Sequence, residues 1–140
     1  MQVASYLMPS SILLRPSCHD KWDLIKQLCE AVSVSYNCSP ELSASIREAV
    51  FAREESSSTG MDGGIAVPHA VVDGLASLMV GMAVNPEGVD FDSIDGSMST
   101  VIVLILVPSS QRFGHLRLMA EVARRLSDLG FQQHISAAKS

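Results

Sequence analysis

Apolar positions spaced three and four apart organise the first third of the chain. In DKWDLIKQLCEAVSV, residues 20–34, Leu24, Ile25, Leu28 and Val32 share one side of a helical wheel. The spacing predicts a helix there, with Asp20 as its N-cap. The turn NCSP then opens a second helix, in which Ser39 is a good N-cap and Pro40 suits the first helical position. Leu42, Ile46, Ala49 and Val50 give that helix an inward stripe, and it should run out near Arg53–Ser57. After the serines the period changes. GIAVPHA reads as a strand stopped by proline, which cannot donate to a central ladder. SLMVGMAV is the next strand, and NPEGVDFDSIDGS a turn-rich connection. STVIVLILVP is apolar throughout, the pattern of a strand covered on both faces.

At the N-terminal end, VASYLM and ILL suggest two short strands separated by Pro9. Beyond Pro108, SSQRFGHLRLMAEVARRLSDLG reads as a helix capped by Ser109 or Ser110 and ended at Gly130. His115, Met119, Val122 and Leu126 share one face of it. FQQHISAAKS begins another short element. Helices and strands alternating about a buried strand predict an α/β fold with helices on both sides of one sheet.

Composition narrows the function. A chain of 140 residues suggests one domain, residues 1–140. The net charge is −5 and the ten Lys and Arg are scattered, so nucleic acid has little electrostatic hold and a membrane surface finds no basic patch. The longest apolar run, Val101–Val107, falls far short of the about 20 residues that span a bilayer. The N-terminus lacks the charged start of a signal peptide, and a cytoplasmic location is expected. Cys18, Cys29 and Cys38 are odd in number and lack metal-type spacing, so they read as reduced, packing thiols.

The chemistry concentrates in SSSTGMDGGIAVPHA, residues 56–70. Gly60, Gly63 and Gly64 let the backbone turn tightly and come close to a ligand. Successive N–H groups in such a loop can form an anion-binding nest, with Ser58 and Thr59 adding hydroxyls. No Lys follows the glycines, so the loop is not a nucleotide P-loop. Pro68 restricts the chain on which His69 is mounted, and a neutral imidazole is a nucleophile near neutral pH. His115 opens a helix just after the buried strand, where helix N-termini favour anions and open α/β sheets bind ligands. Arg53, at the other end of the loop, carries a planar fork matched to phosphate. Each residue also has a bland reading: His69 and His115 as packed structural imidazoles, Arg53 as a solvated helix-end charge.

Together these pieces resemble enzyme IIA of the phosphoenolpyruvate-dependent phosphotransferase system, of the fructose/mannitol/nitrogen-regulatory type. The family signature, an Arg-Glu pair, a spacer and Thr-Gly-x-Gly-x-Gly-x-Ala-x-Pro-His, stands here as REESSSTGMDGGIAVPH, Arg53 to His69. A second motif stands as VPSSQRFGHLRLMAEVARRL, Val107 to Leu126, and VDFDSIDGS matches the connecting segment. The resemblance implies a mixed sheet sandwiched between helices, and a phosphocarrier. His69 would accept a phosphoryl group from an HPr/NPr-type carrier, His115 would orient and stabilise it, and Arg53 would offset its charge. The loop residues Ser58, Thr59, Gly60, Gly63 and Gly64 would rim a crevice open to solvent. No metal and no organic cofactor is implied. The group would pass to the cysteine of a IIB partner or serve as a regulatory state read by another protein. The lone domain leans toward the nitrogen-regulatory branch.

The match departs at Asp62, where the family usually has glycine, at Gly63, where Asn is common, and at Ala70, in place of glycine. A carboxylate near a phosphoryl dianion repels it by about 1 kcal/mol at about 4 Å in water-like surroundings. The chain also stops at AAKS, where family members usually continue into a final helix; a cut chain and self-association into a homodimer are the two accounts of this. A non-catalytic IIA-like binding module, its loop spoiled by Asp62, is the competing class, and a zinc hydrolase built on His69 and His115 a distant third.

Overall fold

The structure, a computed structural model, describes residues 9–109 apart from Ser57, Asp62 and Ile94. A single 3-10 turn at Pro9–Ser11 leads into β1 (Ile12–Leu14), then α1 (Lys21–Ser35) and α2 (Pro40–Ser56). Five strands follow: β2 (Gly60–Met61), β3 (Ile65–Ala66), β4 (His69–Val72), β5 (Met79–Val89) and β6 (Ser99–Pro108). ILL is therefore the expected strand, while VASYLM lies outside the described residues, as do the helix expected after Pro108 and the element after it.

Both helices begin where their caps predict. Asp20 Oδ1 accepts from the Asp23 N–H at 2.9 Å, and Ser39 Oγ accepts from the Leu42 N–H at 3.1 Å. Each bond satisfies a donor that the first helical turn leaves unpaired. Ser39→Ala is expected to lower stability by about 1 kcal/mol, read as a shift in the urea midpoint at unchanged slope.

The sheet is mixed, in the order β1-β5-β6-β3-β2, with β4 also on β6. β1 runs parallel to β5, β5 antiparallel to β6, β3 and β4 parallel to β6, and β2 antiparallel to β3. β6 is the central strand, and its continuous apolar run serves two cores. Ile102, Leu104 and Leu106 pack with Leu24, Ile25, Leu28, Val32, Ile46 and Val50 of the helices. Val101, Val103, Ile105 and Val107 join Ile65, Val67, Val80 and Val84 on the opposite face. α1 and α2 thus cover one face together, and Trp22 meets Phe51 edge-on at 5.7 Å between them. The second face is equally buried.

Two segments differ from the sequence reading. NPEGV was expected to be a turn, yet β5 continues through it to Val89. β1 ends opposite Val84, and the ladder with β6 is irregular between Val84 and Val89. Pro86 falls in that irregular stretch, where its missing N–H leaves no central bond unmade. GIAVPHA is likewise not one strand halted by proline. It forms two strands, β3 and β4, on either side of Val67-Pro68, and both pair with β6 without a slip in register. Pro68 donates nothing, but its carbonyl accepts the Ile105 N–H at 3.0 Å, and so the ladder resumes at His69.

Candidate functional site

His69 is the first residue of β4, not the last residue of a strand, so it lies beside the middle of β6, opposite Ile105. Ala70 and Val72 point into the helix-covered core, so the alternation of a strand turns His69 to the other face. Its ring folds back on its own chain, with Nδ1 2.8 Å from the Val67 carbonyl oxygen. A carbonyl only accepts, so Nδ1 carries the proton. In the neutral ring Nε2 is then the basic nitrogen. The residue is 8% exposed. This is less open than the solvent-lined crevice expected.

The glycine loop is a short hairpin. Gly60 pairs with Ala66 and Met61 with Ile65, and the turn between them uses Gly63 and Gly64 at φ 80° and 81°. These are left-handed conformations that side chains rarely adopt. The Gly64 carbonyl accepts from the Thr100 and Val101 N–H groups at 2.7 and 3.1 Å, which ties the turn to the start of β6. At Gly60 a Cβ would stand 2.6 Å from Ser93 Oγ and 2.7 Å from the Phe91 carbonyl oxygen, so only glycine lets the segment after β5 lie this close.

Donors of Ser58, Thr59, Gly60 and Gly63 are turned to the protein's own oxygens. Ser58 Oγ donates to the Phe91 carbonyl and accepts from the Gly60 N–H at 3.1 Å. The Thr59 N–H and hydroxyl donate to Glu54, at 3.0 Å to Oε2 and 2.5 Å to Oε1. The Gly63 N–H donates to Asp95 Oδ2 at 3.2 Å. Hydrogen bonds from the Ser97 side chain, then from the Ser97 and Gly63 backbones, hold the Asp95 carboxyl below its usual range. The hairpin thus braces the chain leading to His69. Asp62 lies outside the described residues.

Arg53 sits in the last turn of α2, the helix that packs against β4. The two run in opposite directions. Leu42 Cδ1 lies 3.7 Å from where a Cβ on Gly74 would be, and Ser45, Glu48 and Ala49 line one cleft with Val71, Val72 and Asp73. One further turn of α2 brings Arg53 level with His69, on the helix-covered side of β4. Among the described residues β4 pairs with β6 alone. His115 lies outside the described residues.

Two residues at this end of the sheet were missed in the sequence. Glu54, 3% exposed, and the buried Lys21 form an ion pair at 3.2 Å between α2 and α1. Lys21 also reaches Asp92 at 3.3 Å and lies 5.1 Å from the Trp22 ring centre. The signal was present: Lys21 extends the stripe of Ile25 and Leu28, and Glu54 that of Ile46 and Val50. A charge on an apolar stripe is either paired or misplaced.

The cysteines behave as packing residues. Burial pushes the Cys29 thiol up to about 12, and burial also raises Cys18 and Cys38. No group of three or more His, Cys, Asp or Glu suited to a metal occurs among the described residues, and no described helix is long and apolar enough to cross a membrane.

A family described as "Phosphoenolpyruvate-dependent sugar phosphotransferase system, EIIA 2" matches residues 5–140. The chain is 30% identical over 141 residues to a nitrogen regulatory protein of Escherichia coli (strain K12), covering 100% of this chain and 85% of the relative. Among solved structures it is similar to the nitrogen regulatory protein IIA-Ntr of Neisseria meningitidis, with a TM-score of 0.87 at 26% identity, covering 99% of this chain and 92% of that one. It shares the fold of E. coli mannitol enzyme IIA, solved in complex with phosphorylated mannitol enzyme IIB, with a TM-score of 0.75 at 19% identity, covering 96% of this chain and 90% of that one.

Proposed function

Since the chain belongs to the sugar phosphotransferase system EIIA 2 family, we propose that its phosphoryl acceptor is His69, attacking through Nε2. The observation that carries this reading is the 2.8 Å contact of Nδ1 with the Val67 carbonyl. It assigns the ring's proton to one nitrogen and its lone pair to the other. Nε2 attacks the phosphorus of a phosphohistidine on an HPr/NPr-type donor. The new N–P bond forms as the donor's N–P bond breaks, and the donor imidazole leaves with that electron pair. Nδ1 keeps its proton throughout. Such transfer depends on positioning and charge stabilisation more than on covalent machinery.

Arg53 and His115 are the groups proposed to offset the phosphoryl charge, the first from the last turn of α2 and the second from the helix that the sequence predicts after β6. Ser58, Thr59, Gly60, Gly63 and Gly64 frame the group by bracing the chain that carries His69. The similarity to nitrogen regulatory proteins supports a cytoplasmic regulatory output, in which the phosphorylation state of His69 governs binding to another protein. Passage onward to a IIB cysteine is the alternative fate, favoured by the shared fold of the mannitol IIA–IIB complex.

The test is direct. Incubation with phosphoenolpyruvate, enzyme I and an HPr/NPr-type carrier is expected to label the protein with a phosphate that is lost in acid and kept in alkali. Absence of label with every cognate donor would leave only a binding module.

A further inference from the structure

We propose that Glu54 and Lys21 are positioning residues for phosphoryl transfer, acting on the His69 ring through an unbroken series of hydrogen bonds. The proposal rests on His69 being the acceptor. Lys21 Nζ donates to Glu54 Oε2 at 3.2 Å. Glu54 takes both donors of Thr59, the N–H at 3.0 Å and the hydroxyl at 2.5 Å. The Thr59 carbonyl accepts the Val67 N–H at 3.1 Å. The Val67 carbonyl accepts from His69 Nδ1 at 2.8 Å. Three links therefore connect a buried ion pair to the reactive ring, through Thr59 and Val67, and no link is a flexible side chain exposed to solvent.

Each link sets the next. Bonds to a charged acceptor are shorter and stronger than neutral ones, so Glu54 fixes Thr59 more firmly than an uncharged residue would. Thr59 and Val67 close the base of the hairpin through the Val67 N–H to Thr59 carbonyl bond, whereas Asp95, Thr100 and Val101 hold its far end at Gly63 and Gly64. With Thr59 held, Val67 is held, and its carbonyl stays aimed at Nδ1. Release of that carbonyl frees the imidazole to take the other tautomer, in which Nε2 bears the proton and has no lone pair to attack phosphorus. Lys21 supplies the compensating charge that a carboxylate buried between two helices requires.

The double variant Lys21→Met with Glu54→Gln removes both charges together, so neither is left buried alone. Two readouts follow. Nitrogen-15 shifts of the His69 imidazole report the tautomer, and single-turnover transfer from a phosphorylated HPr-type carrier reports the rate. The expected result is a mixed tautomer, with the rate at saturating donor reduced about 10- to 100-fold and the half-saturating donor concentration unchanged. A ring still protonated at Nδ1, with transfer within about twofold of wild type, overturns the proposal. If the double variant does not fold, Thr59→Val and Thr59→Ser carry the same test. Slower transfer with Val and recovery with Ser supports the series of bonds, and wild-type transfer by Val overturns it. A His69→Ala protein that still accepts phosphoryl would refute the acceptor assignment. A silent His69→Ala beside an unimpaired double variant refutes the positioning role alone.

Discussion

His69→Ala is expected to remove the acid-labile phosphate altogether, lowering labelling by at least about 1,000-fold. The loss should be that large because, among the described residues, no other nucleophile is held at the start of β4 as His69 is. Ser58 and Thr59 have their hydroxyl protons committed, to the Phe91 carbonyl and to Glu54. A phosphate ester on either would also survive acid, so the lability of the label separates the two chemistries. His19 is exposed on the segment before α1, which lies near β1 and β5 rather than β4, so it has none of the positioning that β4 gives His69. The loss should also come without unfolding. The His69 side chain faces away from the helix-covered core, so truncating it leaves that core intact. Mass analysis of the intact labelled protein, with far-ultraviolet circular dichroism of the variant, makes the measurement. A well-folded His69→Ala protein that retains acid-labile label would move the acceptor elsewhere in the chain.

Much of this arrangement was legible in the sequence, for identifiable physical reasons. The helices were readable because caps and stripes agree: Asp20 and Ser39 supply the side-chain acceptors, and Leu24, Ile25, Leu28 and Val32 repeat at the helical period. β6 was readable because seven consecutive apolar residues, Val101–Val107, make sense only with two cores to serve. The errors lie where pairing partners decide the outcome. Pro86 reads as a turn until one knows that β1 ends at the level of Val84. Pro68 reads as a terminator until one sees its carbonyl, not its nitrogen, facing β6. The loop motif singled out the hairpin and His69 as the candidate site, but the internal order of the hairpin was not legible. That Thr59 turns inward to Glu54 rather than outward to a ligand depends on α1 supplying Lys21 from across the helix pair. No local pattern encodes that contact.

That same contact gives the largest expected effect on stability. Glu54→Ala is expected to cost about 3–5 kcal/mol, because it strands the buried Lys21 ammonium and leaves both Thr59 donors without their acceptor. Asp92 remains within reach of Lys21 at 3.3 Å, but its side chain is 71% exposed, and a solvated carboxylate returns little of what the buried one supplied. The Trp22 and Phe91 rings, at 5.1 and 6.0 Å from Nζ, soften the loss without neutralising the charge. Asp92→Asn, by the same reasoning, should cost well under about 1 kcal/mol. Removing both charges in Lys21→Met with Glu54→Gln should be milder than Glu54→Ala, since breaking a buried pair is worse than replacing it. Urea unfolding of the three variants ranks them. If Glu54→Ala proves no less stable than the double variant, the Lys21–Glu54 pair is not buried as a pair in solution, and the hairpin that carries Thr59 is held by something other than its charge.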